Sequence, residues 1–143
     1  MKEYSFCIPM PAFSINKSTY TDKRHKTQEF RIWEGQFNIW LNEHKLHLSY
    51  LTGPVYAVEM FFEYPYEVFY NKAGAINSKT FDLSNVEKPI LDLIFRAMEK
   101  NDKTVVELSS MKYPGIKHSM FFKIQSRPGV RFPPDLTPSI QAK

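Results

Sequence analysis

The sequence predicts an α+β domain, a mixed β-sheet with two principal helices in the order β-α-β-α-β-β. Three observations carry that prediction. Apolar and polar residues alternate over residues 2–9 and 56–64, the period of a half-buried strand. Apolar residues recur every three to four positions over 27–43 and again from Ser84 onward, the period of an amphipathic helix. Two further β-rich segments follow Asn101, at 104–113 and 119–125.

The first strand covers residues 2–9, with Tyr4, Phe6 and Ile8 on one face and Ser5 and Cys7 on the other. No neighbour in sequence would stabilise a thiolate at Cys7, which reads as a packed structural thiol. Pro9, Met10 and Pro11 stop the strand, and residues 12–26 are polar, basic and irregular, the pattern of a loop. The first helix covers 27–43. Phe30, Trp33, Phe37, Trp40 and Leu41 share one stripe, which assigns both tryptophans to the core. Gly35 inside it costs about 1 kcal/mol relative to alanine, too little to break it. His44 and His47 have neither a cysteine nor a third histidine close by, so they read as surface residues rather than zinc ligands.

In the second strand Tyr56, Val58, Met60, Phe62 and Tyr64 alternate against Ala57, Glu59, Phe61 and Glu63, and Pro65 ends the regular part. Residues 66–80 form a long connection, and loops of that length in compact domains are functional or mobile. The second helix begins near Ser84, where Ser84-Asn85-Val86-Glu87 fits a capping box with Glu87 returning to the cap amide. Val86, Ile90, Leu93, Ile94 and Ala97 form its buried stripe, and Pro89 is expected to distort the first turns. The last two strands, joined across Pro114-Gly115, read as a hairpin with a longer loop. Residues 1–127 read as one domain, and 128–143, with four prolines and little periodicity, as an extended or disordered tail.

At 143 residues and 43% hydrophobic content the chain is long and apolar enough to bury a core without disulfides, which its single cysteine excludes in any case. No signal peptide or apolar run of membrane-spanning length is visible, so the expectation is a soluble cytoplasmic protein with no membrane partner. The formal net charge is +4. Lys17, Lys23, Arg24, Lys26 and Arg31 cluster near the N-terminus with Tyr20 and His25 among them, opposed by Asp22 and Glu29. Such a segment can grip phosphates and stack a base. The same composition also fits a solvated loop, and the residues alone leave both readings open.

The most concentrated chemistry lies in Asp82, Asn85 and Lys88, followed by Asp102. Carboxylate oxygens suit a hard ion such as Mg²⁺, which shares its remaining positions with substrate phosphate, and a lysine offers that phosphate a point charge. Without further context the plainer reading carries more weight. In it Asp82 is a pre-helix acid, Asn101-Asp102 a helix stop and Lys88 a solvated side chain.

Three motifs shift that balance. Ile8-Pro9-Met10-Pro11 with Ser14 and Asn16, then Asp82-Leu83-Ser84-Asn85 with Lys88-Pro89 and Leu91-Asp92, then Asn101-Asp102 with Val105-Val106, follow one another in order. Together they resemble the RusA family of Holliday junction resolvases, small homodimeric endonucleases common in prophages, over a span from Tyr4 to about Ile124. The resemblance implies a RusA-like fold and an Mg²⁺-dependent endodeoxyribonuclease, with Mn²⁺ as a substitute ion. Such an enzyme acts as a homodimer on four-way DNA junctions in recombination and repair, making paired cuts. It assigns catalysis to Asp82, Asn85, Lys88 and Asp102, metal binding to Asp82, Asp102 and Ser84, and DNA contacts to Asn16, Lys17, Tyr20, Lys23, Arg24 and Lys26. The chain departs from the family pattern where it carries Ser84 in place of an acid, and often a second acid stands where it has Asn101. The Ser84 departure motivates an alternative, a catalytically weakened relative that binds branched DNA without efficient cleavage. Finally, a straight helix of about 13 residues would hold Asp82 and Asp102 ~20 Å apart. Unless the helix is shorter or bent, or the chain folds back after it, a site composed across a twofold dimer is the way to bring them together.

Overall fold

The computed structural model describes residues 3–9, 28–77, 80 and 83–133, and the segments between them are outside the described residues. Strand β1 (Glu3–Pro9) is followed by helix α1 (Gln28–Glu43), the short helix α2 (Lys45–Ser49), strand β2 (Val55–Pro65) and a single turn α3 (Tyr66–Phe69). Helix α4 (Leu83–Met98), a 3₁₀ turn (Asp102–Thr104), strand β3 (Val105–Gly115) and strand β4 (Ser119–Arg127) complete the described fold. The expected α+β order is borne out, with short helical turns added between the principal elements.

The sheet has the order β1-β4-β2-β3. β4 lies between β1 and β2, antiparallel to both, while β2 and β3 run parallel. β2, α4 and β3 therefore form a β-α-β crossover, the connection that parallel neighbours require. Even-numbered residues of β2 (Tyr56, Val58, Met60, Phe62 and Tyr64) and Met120, Phe122 and Ile124 of β4 point to one face and are buried. That alternation is the two-residue period of the pleat. Helices α1 and α4 close this face with Phe30, Trp33, Phe37 and Leu41 from one and Val86, Ile90, Leu93, Ile94, Phe95 and Met98 from the other. Trp33 is buried and Trp40 packs at the core's edge, as the stripe predicted. The buried side of α4 matters for function because it leaves the opposite side, with Lys88 and Asp92, facing outward.

Four expectations need correction. The two last strands are not a hairpin: β3 and β4 lie on opposite edges of β2 and never pair with each other. Pro114-Gly115 does mark a reversal, but α4 delivers β3 parallel to β2, so the chain must step over the end of β2 to reach its other edge. Glu63 near that end secures the step. Its carboxylate accepts from the amides of Ile116 at 2.6 Å and Lys117 at 3.3 Å and from Ser119 Oγ at 2.9 Å. These donors hold the Glu63 carboxyl below its ordinary pKa, the Ile116 amide most of all. A Cβ at Gly115 would collide with the same Glu63 side chain and force it to shift.

Cys7 is exposed rather than packed, because it points to the sheet face opposite the helices. Residues 66–77 are not an unstructured connection. They contain α3, a bridge between Tyr70 and Ile76, and a turn in which Asn71 Oδ1 accepts from the amides of Ala73 and Ala75. Nor does Glu87 complete a capping box. Helix α4 begins at Leu83, one residue ahead of Ser84, and Glu87 accepts a 2.8 Å hydrogen bond from Ser110 Oγ on β3. Among the expected surface histidines, His44 stacks on Trp40 with Nδ1 2.8 Å from the Trp40 carbonyl, while His47 is exposed and stacks on Tyr4. Of the tail, residues 128–133 are described and contain no helix or strand, and Arg131 reaches Glu107 on β3.

Candidate active site

Helix α4 is continuous from Leu83 to Met98 despite Pro89 within it. Proline has no amide hydrogen, so the bond that residue 89 would give to the Asn85 carbonyl is missing and that oxygen lacks its helical partner. Buried neighbours on both sides, Val86 before it and Ile90, Leu91, Leu93 and Ile94 after it, anchor this part of the helix against the core. A locally weakened turn is thereby held in place by packing.

The helix ends in a reversal that brings the next segment back. Glu99 takes a left-handed conformation, φ 58°. Its amide donates to the Arg96 carbonyl at 3.1 Å and the Lys100 amide to the Phe95 carbonyl at 2.9 Å. This is the paired bonding of a Schellman motif, in which the residue after the helix turns the chain through the region glycine favours. A 3₁₀ turn follows at once. Asn101 Oδ1 accepts from the Lys103 amide at 2.9 Å, and the Asn101 carbonyl accepts from the Thr104 amide at 3.0 Å and from Thr104 Oγ1 at 2.6 Å. Asn101 thus serves as a local clamp for the turn that carries Asp102.

The outcome is a meeting of residues 14 positions apart: the Lys88 ammonium pairs with Asp102 Oδ2. The same ammonium lies 2.9 Å from Asp92 Oδ1, one helical turn further along α4. Hydrogen bonding to Asp102 and then to Asp92 raises the Lys88 pKa well above its ordinary value. The Lys88 contact, outweighing partial burial, holds the Asp102 carboxyl below the usual carboxylate range. Both groups are therefore charged at neutral pH. Asp92, Phe95, Arg96, Lys100, Asn101 and Asp102 line a shallow pocket of about 270 Å³ beside this pair. An acidic centre with Arg96 and Lys100 on its rim is chemically suited to a cation and a phosphate together.

Of the residues assigned from sequence, the structure thus joins Lys88 to Asp102. Asp82 and the side chains of Ser84 and Asn85 lie outside the described residues, as do Asn16, Lys17, Tyr20, Lys23, Arg24 and Lys26. The helix-length argument for a site shared between two subunits loses its premise, since the chain does fold back. Lys88, beside which Asp102 returns, lies only ~8 Å along the axis from Leu83. Sequence reasoning placed Asp92 within the central motif but gave it no role in the site, although its i,i+4 spacing from Lys88 was an available signal. Arg96 and Lys100 gave no signal beyond their charge. Among the described residues no group of three or more His, Cys, Asp or Glu converges on a point that could hold a metal ion, and no helix is long and apolar enough to cross a membrane.

Compared with known families, residues 8–125 match the model described as endodeoxyribonuclease RusA. No curated protein matches the chain.

Proposed function

With the chain belonging to the RusA family of endodeoxyribonucleases, hydrolases of DNA phosphodiester bonds, we propose that it resolves four-way DNA junctions as an Mg²⁺-dependent homodimer. One observation carries the reading at the level of chemistry. The reversal after α4 delivers Asp102 to Lys88, so an acid and a lysine from two separate motifs share one exposed place on the fold.

The donors fit a hard ion. Asp102 offers carboxylate oxygens beside an open pocket, and Asp82 immediately before α4 in sequence is the second ligand, with Ser84 able to hold a coordinated water. When bound, Mg²⁺ supplies Lewis acidity toward the attacking water and the phosphate oxygens, a role that Mn²⁺ can also fill. The protein's own groups do the rest. Lys88 remains charged and presents a fixed positive charge where negative charge grows on the scissile phosphate. Asn85 orients a water or the DNA backbone. Asn16, Lys17, Tyr20, Lys23, Arg24 and Lys26 grip the junction arms through phosphate contacts and stacking, which makes binding steeply salt-dependent. Twofold symmetry of the homodimer matches that of the junction and accounts for paired cuts.

The test is cleavage of a labelled four-way junction beside a linear duplex of matching sequence, in Mg²⁺ and in EDTA. Paired cuts confined to the junction and abolished by EDTA are expected. Tight junction binding without cleavage in Mg²⁺ or Mn²⁺ would overturn the resolvase reading in favour of a weakened relative, and Ser84→Asp would then be the variant that restores cutting.

A further inference from the structure

We propose that Asp92 is the positioning residue for Lys88, keeping its ammonium in the site when the Asp102 carboxylate turns to a cation or to substrate. The inference rests on the nuclease reading above and adds to it a residue with no direct role in the reacting atoms.

The geometry is specific. Lys88 Nζ bridges two carboxylates, Asp102 from the turn after α4 and Asp92 from α4 itself at 2.9 Å. An oxygen of Asp102 engaged by a cation is no longer free for Lys88. Had Asp102 been its only partner, a lysine on its flexible four-carbon stem would then sweep through solvent, since Lys88 is 67% exposed. Asp92 prevents this because it belongs to the same helix as Lys88 and sits between the buried Leu91 and Leu93. Its place beside Lys88 is set by α4 itself and not by the turn that carries Asp102.

Helix stability offers a poorer account of the pair. In Lys88-Asp92 the cation precedes the anion, the weaker orientation for an i,i+4 pair and the one opposed to the helix dipole. Both groups are substantially exposed, and exposed pairs contribute little to folding. Loss of Asp92 should therefore leave the fold intact while releasing the ammonium.

The test uses the full chain with Asp92→Asn, Asp92→Glu and Lys88→Met. The first arm reads the lysine directly: acetylation of Lys88 by an amine-reactive ester, followed by peptide mass spectrometry, with and without Mg²⁺. In Mg²⁺, Lys88 should react about threefold faster in Asp92→Asn than in wild type, the scale of control an exposed ion pair exerts, and Asp92→Glu should restore protection. The second arm is single-turnover junction cleavage. Asp92→Asn should slow it by about tenfold, the cost of a mispositioned group, with junction affinity within about twofold of wild type. The same substitution should cost nothing further in Lys88→Met. Equal Lys88 labelling in Mg²⁺, or a full additional rate loss in Lys88→Met, would overturn the proposal. If the wild-type chain does not cut junctions, the nuclease reading fails on its own account and the labelling arm alone decides whether Asp92 holds Lys88.

Discussion

Replacing Lys88 by methionine removes the ammonium while keeping much of the stem, and the structure sets apart the three effects that should follow. Two unit charges about 4 Å apart attract by about 4 kcal/mol at an effective dielectric of 20 and about 1 kcal/mol in water. Lys88 is 67% exposed and Asp102 24% exposed, so water screens their pair toward the lower figure. Global stability should thus fall by no more than about 1 kcal/mol, measured as a urea midpoint. Catalysis should suffer far more, because a donor aimed at developing charge is worth ~10²–10³ in rate, or about 3–4 kcal/mol. The metal response should move the opposite way. Losing a competitor worth about 1 kcal/mol frees Asp102, so half-saturating Mg²⁺ should drop by about fivefold. Single-turnover cleavage with enzyme in excess, run across a Mg²⁺ titration, reads both quantities. Cleavage within about tenfold of wild type at saturating Mg²⁺, with the junction still bound, would refute the assignment of Lys88 to the reacting phosphate.

Three further outcomes test the fold around the site. Glu99→Gly should stabilise the protein by about 1 kcal/mol, seen as a higher Tm, because glycine takes the left-handed position without the Cβ conflict while the exposed pair with Lys45 at 3.7 Å is worth little. Gly115→Ala should lower the Tm by several degrees by displacing the Glu63 carboxylate from the crossover, and it should add little further loss in a Glu63→Ala background. Burial depresses the His118 pKa below its ordinary value, so the unfolded chain binds its proton first as the pH falls. The stability contributed by neutral His118 is therefore present above about pH 6.5 and declines below it toward the lower folded pKa. The wild-type urea midpoint should consequently fall more between pH 7.5 and 5.5 than that of His118→Phe, ~7.5 and ~5.5 bracketing the usual histidine value.

Much of this architecture was legible in the residues because it depends on local periodicity. The stripe of Phe30, Trp33 and Phe37 and the alternation of Tyr56 through Tyr64 each select a backbone period, and the structure places those side chains in one core. The three motifs likewise identified the family, since residue types in a fixed order survive without knowledge of their positions in space. Pairing and exposure were not legible in the same way. Pro114-Gly115 signals a reversal but not which strand receives the returning chain, and that was decided by β3 having already taken one edge of β2. Cys7 sits in an alternating pattern that looks the same whether or not its face is covered, and only the one-sided placement of the helices leaves it exposed. The cluster of Lys88, Asp92 and Asp102 shows the division most clearly. Sequence by itself determined that acids and a lysine flank one amphipathic helix. Tertiary structure decided that they meet, because a left-handed Glu99 and the Asn101 clamp turn the chain back along that helix. Such a reversal depends on backbone conformation at a residue whose type gives no hint of it, and the distance between two side chains depends on the reversal.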